Sequence, residues 1–79
     1  MAVRLVFLGR LQDVAGAAEL CVEDAPLADV LVTLPAELAL ALADERVRWA
    51  LNGALIGEHG GIVLQDGDEL AFLPPVSGG

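Results

Sequence analysis

The chain has 79 residues, 56% of them hydrophobic and 20% charged, with 12 acidic residues set against four arginines and a formal net charge of −8. A chain this short buries only about 60% of its unfolded surface around one small core, which excludes a multidomain enzyme. The hydrophobic content excludes disorder, and the acidic field opposes binding to nucleic acid or anionic lipid while favouring basic protein surfaces.

The first strand is predicted over residues 2–8, where Val3, Leu5 and Phe7 alternate with Arg4, Val6 and Leu8. Residues 9–16 read as a turn. Leu20 and Val22 then alternate with Glu19, Cys21 and Glu23 in a second strand, paired with the first as a hairpin. Asp24 followed by Pro26 reads as a helix start, because a carboxylate accepts free backbone N–H groups and proline in the first turn loses no hydrogen bond. Leu27, Val30, Leu31 and Leu34 follow at helical spacing. Pro35 interrupts that pattern and residues 36–43 are rich in Ala and Leu, so a kinked helix and two short helices fit equally.

Residues 46–51 read as a third strand, Asn52-Gly53 as a tight turn that tolerates positive φ, and residues 54–56 as the returning strand. A Gly-rich loop leads to residues 62–64, and Asp66-Gly67-Asp68 forms a turn before a last strand at 69–73. A helical segment between two hairpins predicts an α+β roll, a mixed sheet covered on one face by a helix. The domain is expected over residues 1–73, with a flexible Gly-Gly tail at 74–79. No apolar window of about 20 residues is free of charge and the first residues lack a cleavable signal's long apolar run, so a cytoplasmic location is expected.

Period two has a consequence for the uncovered face. If Leu5, Phe7, Leu70 and Phe72 point at the helix, then Val6, Leu8, Ala71 and Leu73 point the other way, where no second layer waits. One-sided antiparallel sheets ordinarily turn polar residues outward, so an apolar open face on two strands predicts a partner surface rather than scattered aliphatics. The sequence then closes on Leu73-Pro74-Pro75-Val76-Ser77-Gly78-Gly79. Pro-Pro stops the strand and stiffens the exit, and Gly-Gly, lacking Cβ atoms, fits a channel too narrow for side chains. Such a tail suits delivery of a terminal carboxylate into another protein, although a Gly-Gly end alone also describes a frayed terminus.

Other reactive side chains favour plain readings. Cys21 lies among apolar neighbours and is expected in the core; as the single cysteine it cannot form an internal disulfide. His59 has no identified partner and reads as a solvated loop residue. Asp66 and Asp68 lack the further ligands of a calcium loop and read as turn formers, so no metal is expected. Trp49 fits core or interface rim equally.

The segments Leu5 to Gly16, Ala50-Leu51-Asn52-Gly53, Asp66-Gly67-Asp68-Glu69-Leu70 and Phe72-Leu-Pro-Pro-Val-Ser-Gly-Gly79 resemble the small, sulfur-carrying subunits of molybdopterin synthase. That family has a ubiquitin-like β-grasp fold. The resemblance runs nearly end to end and is most specific in the final block. It departs at Gln12-Asp13, where family members often carry an Arg-Glu pair, and in a short helical region holding Pro35.

The resemblance implies that an adenylating enzyme, related to those that activate ubiquitin, uses ATP and magnesium to activate the Gly79 carboxylate. A sulfur donor then converts it to a thiocarboxylate. The large subunit of molybdopterin synthase accepts the tail and sulfurates cyclic pyranopterin monophosphate, so the reacting group is the Gly79 terminus, Gly78 gives access, and the chain binds no cofactor itself. By the same resemblance Leu8, Leu55, Leu73, Pro74 and Pro75 meet the partner. Two other classes share this ending: a ubiquitin-like modifier conjugated through Gly79, and a sulfur carrier for thiamine, cysteine or RNA thiolation. The absence of lysine excludes lysine-linked chains of the protein with itself.

Overall fold

The computed structural model describes residues 2–57 and 60–75. Strand β1 (Ala2–Phe7) is followed by a short helix α1 (Leu11–Ala15) and by β2 (Glu19–Glu23). A two-residue strand β3 (Ala25–Pro26) leads into helices α2 (Leu27–Val32) and α3 (Ala36–Leu42). Strands β4 (Arg48–Leu51), β5 (Ala54–Ile56), β6 (Val63–Leu64) and β7 (Glu69–Leu73) complete the chain. Five strands form one mixed sheet in the order β2-β1-β7-β4-β5, while β3 and β6 pair separately.

The last strand sits in the middle of the sheet, parallel to β1 and antiparallel to β4. Register puts Leu5 beside Leu70 and Phe7 beside Phe72, so the apolar residues of both strands face the same way. Those four side chains are fully buried, together with Val3, Leu27, Leu38 and Leu64. The rings of Phe7 and Phe72 stack with centroids 5.3 Å apart, and Trp49 meets Phe72 edge-on at 5.0 Å. Trp49 is therefore a core residue, 4% exposed. Such aromatic pairs add about 0.5–1.5 kcal/mol each beyond their area burial.

Two short helices, rather than one kinked helix, cover this face. Pro35 precedes α3 as its N-cap residue, with φ −55° and ψ 145°, an extended conformation that cannot continue the preceding helix. Thr33 closes α2 by donating its hydroxyl to the carbonyl of Val30 at 2.7 Å. Leu27 and Val30 of α2 and Leu38 and Leu42 of α3 are buried, as is Leu11 of α1.

Three expectations change. The segment at 9–16 contains α1, ended by Gly16 in the left-handed region with its N–H on the carbonyl of Gln12. Asp24 does not cap a helix; Ala25 and Pro26 pair with Leu64 and Val63 first, and α2 starts at Leu27 without a side-chain cap. Cys21 is exposed, not buried. The alternation that sends Leu20 and Val22 toward the core sends Cys21 outward, and strand geometry prevails over the general tendency of cysteine to be buried.

The turns are held by carboxylates. Asn52, with φ 52°, and Gly53, with φ 86°, make the hairpin turn between β4 and β5. The Asn52 amide donates to Asp68 at 3.0 Å and its carbonyl oxygen accepts the Glu69 N–H at 2.9 Å, clipping this hairpin to the turn before β7. Asp68 also accepts the Gln65 N–H, and these two bonds lower its pKa, the Asn52 bond most. Asp66 accepts the N–H of Ala2 at 2.8 Å. Between α3 and β4, Asp44 accepts from the side chain and backbone of Arg46, which lowers its pKa from 3.8 to about 2.

A depressed carboxylate stabilises the fold above its unfolded pKa, and that contribution disappears as pH falls through the folded value. The Asp44 contribution should be complete above pH 3.8 and lost toward about 2, with Asp68 acting in the same direction. Denaturant melts across that window should show a shallower loss of stability for Asp44→Asn with Asp68→Asn than for the natural chain. Equal slopes would contradict the assignment.

Candidate functional site: the open sheet face and tail exit

The face of the sheet away from the helices is built by the alternate residues of each strand. Its rows follow from register: Cys21, Arg4 and Glu69 lie side by side, then Glu19, Val6, Ala71, Ala50 and Leu55, then Leu73 beside Arg48. The first row is polar, with Arg4 paired to Glu69 and its Nε 3.8 Å from Glu19. The Arg4 pKa is raised, by the Glu69 hydrogen bond first and by the charges of Glu19 and Glu69 next. The remaining rows are apolar at Val6, Ala71, Ala50, Leu55 and Leu73, bounded by Glu19 on β2 and by Arg48 beside Leu73, and Leu8 widens them, its N–H extending the ladder by donating to the carbonyl of Phe72.

Exposure across these residues is uneven. Leu55 is 68% exposed and Leu8 38%, whereas Val6, Ala71, Ala50, Leu73, Pro74 and Pro75 are half-buried. Leu8 and Leu73 stand at the tail end of the sheet, with Pro74 and Pro75 following Leu73, whereas Leu55 lies one row away on the edge strand β5, opposite Ala50. Gly78, Gly79 and His59 lie outside the described residues. Among the described residues no group of three or more His, Cys, Asp or Glu is placed to hold a metal ion, and no helix is long and apolar enough to cross a membrane.

The exit of the tail depends on a residue that sequence reasoning treated only as a turn former. Gly9 has φ +55°, and a Cβ there would stand 2.9 Å from Cγ of Pro74. Chain reversal after β1 and close approach of the tail root therefore both require glycine at this position. A glycine after an apolar strand signals the first requirement; the second joins residues 65 positions apart and has no local signal. On the other side of the exit, Pro74 and Pro75 line a shallow cleft with Glu45, Arg46 and Arg48.

A mixed five-stranded sheet with β7 at its centre and helices on one face defines a ubiquitin-like β-grasp protein. The chain matches the ThiS family over residues 5–79 and belongs to it. It is 50% identical over 42 residues to the molybdopterin synthase sulfur carrier subunit of Escherichia coli strain K12, a stretch covering 52% of this chain and 48% of that protein. That match spans about half the length of the relative. Among solved structures, SAMP1 from Haloferax volcanii superposes with a TM-score of 0.72 at 29% identity, each chain covered completely. The complex of subunits 1 and 2 of the molybdopterin-converting factor from Helicobacter pylori contains a chain superposing at 0.66 with 27% identity, again covering both chains fully.

Gly9→Ala should destabilise the domain by about 1–2 kcal/mol, the cost of a left-handed residue bearing a Cβ. The tail root should shift with it, visible as movement of the Leu8 and Leu73 amide resonances. Unchanged stability and spectra would remove Gly9 from this role.

Proposed function

We propose that the chain is a cytoplasmic sulfur carrier of molybdenum cofactor biosynthesis, working through the carboxylate of Gly79. The observation that carries this reading is the placement of the tail root: the central strand ends at Leu73 among the apolar residues of the open face, and the Pro-Pro segment leaves from there. The E. coli relative's name and the family membership support it.

The chemistry needs no catalytic side chain from this protein. The Gly79 carboxylate attacks the α-phosphorus of ATP on an adenylating enzyme, with magnesium balancing phosphate charge, and pyrophosphate leaves. Hydrosulfide released by a sulfur donor attacks the acyl carbon and AMP leaves, giving a thiocarboxylate. In the large subunit of molybdopterin synthase that sulfur passes to cyclic pyranopterin monophosphate, and water returns Gly79 to the carboxylate. Gly78 lets the backbone into the cleft, while Leu8, Leu55, Leu73, Pro74 and Pro75 dock against the partner by burying apolar area. The reaction class is thus sulfur transfer, with this chain as the donating subunit.

A second reading has its own support, since SAMP1 from Haloferax volcanii and the small archaeal modifier protein 1 (SAMP1) from Methanosarcina acetivorans are similar to this chain over 100% and 99% of its length. The same adenylated Gly79 would then pass to a lysine amine of another protein.

Deletion of Gly79 tests the shared first step. Pyrophosphate exchange by the adenylating enzyme should proceed with the full chain and vanish with the truncated one, whose thermal melt should be unchanged. Exchange that survives the deletion would contradict activation at Gly79.

A further inference from the structure

The four arginines are distributed unevenly over an otherwise acidic molecule. Arg4 lies in the polar row, neutralised by Glu69 and Glu19. The other three stand at the end of the sheet from which the tail leaves. Arg10 follows Gly9, the residue packed against Pro74, and Arg46 and Arg48 line the cleft that holds Pro74 and Pro75.

Topology explains this grouping. The tail leaves from the central strand, β7 runs parallel to β1, and β4 is antiparallel to it. The end of β1 and the start of β4 therefore flank the exit, placing Arg10 on one side and Arg48 on the other. Arg48 sits directly beside Leu73 in register and on the open face. Arg46 is neutralised by Asp44 at 2.9 Å, whereas Arg10 and Arg48, both exposed, form no ion pair among the described residues. Glu45 lines the same cleft as Arg48 without bonding it.

We propose that Arg10 and Arg48 form a cationic collar around the tail exit that docks onto carboxylates at the mouth of the cleft by which the adenylating enzyme receives the tail. This rests on the proposed carrier function and adds a property of the receiving protein, an acidic rim around an apolar seat. Guanidinium forks match carboxylates in bidentate geometry, so such pairs fix orientation as well as adding attraction. Phosphate is the weaker candidate. Delivered extended, residues 76–79 carry the reacting carboxylate about 13 Å beyond Pro75, which removes the ATP phosphates from the collar's reach.

The collar also resolves a conflict in the charge pattern. A uniformly acidic protein would dock on a basic surface in many orientations, whereas positive charge confined to the exit gives the molecule an electrical polarity that turns the tail toward its acceptor. Charges at an interface rim act mostly on association rate and on salt dependence.

The test is a titration of the full chain and of Arg48→Glu, Arg10→Glu and Leu73→Glu against the cognate adenylating enzyme, at about 50 mM and about 500 mM salt. Pyrophosphate exchange is followed on the same samples. Each arginine reversal should weaken binding about tenfold at low salt, chiefly through slower association, and the deficit should largely disappear at high salt. Leu73→Glu, which buries a charge in the apolar seat, should weaken binding at both. Arginine variants that bind as the natural chain does, or whose deficit persists at high salt, would overturn the collar while leaving the carrier reading standing. A natural chain that neither binds nor supports exchange would overturn both. Competition by inorganic pyrophosphate for the arginine-dependent part of binding would replace the carboxylates with phosphate and also overturn the proposal.

Discussion

The pairing of β7 between β1 and β4 is the constraint on which the rest of the structure depends. It forces the last strand of the chain into the middle of the sheet, where alternate residues must satisfy opposite demands. Leu70 and Phe72 turn inward and are fully buried, with Phe72 contacting both Phe7 and Trp49. Ala71 and Leu73 turn outward onto the open face. Loss of the Phe72 ring would therefore disturb core packing and the base of the tail together, since large-to-small changes at such sites cost about 3–5 kcal/mol. In a domain of this size that is comparable to the whole stability.

The same pairing accounts for where the candidate site lies. Because the central strand ends in the sheet's interior, its exit has a neighbour on each side: Gly9 and Arg10 after β1, and Arg48 at the start of β4. An edge strand would expose the tail root on one side and could not surround it. The proposed carrier function and the proposed collar both use this geometry, the first through the apolar seat and the second through the charges beside it. Nothing in the proposed chemistry asks the domain to move. In that proposal the domain holds the tail root in one direction and activation falls to other proteins.

Much of the fold was legible because period two is a strong local signal. Residues 69–73 and 54–56 match the observed strands, Asn52-Gly53 makes the turn its dipeptide predicts, and the apolar open face follows from Val6, Ala71 and Leu73. The misplacements share a cause. Asp24 has good capping chemistry, yet the neighbouring residues pair with β6, a contact that lies some forty positions away and leaves no local trace. For Cys21, residue type points to the core while the alternation with Leu20 and Val22 points outward, and the alternation decides. The need for glycine at position 9 and the flanking of the exit by Arg10 and Arg48 are likewise long-range consequences of sheet order, which composition and spacing do not encode.

The central claim is that Gly79 carries sulfur. Its most direct test is the intact mass of the chain after incubation with the cognate adenylating enzyme, ATP, magnesium and a sulfur donor, followed by fragmentation of the C-terminal peptide. The account predicts one carboxylate oxygen exchanged for sulfur, localised to Gly79. An unchanged mass, obtained with an enzyme and donor shown to be active on another carrier, would contradict it.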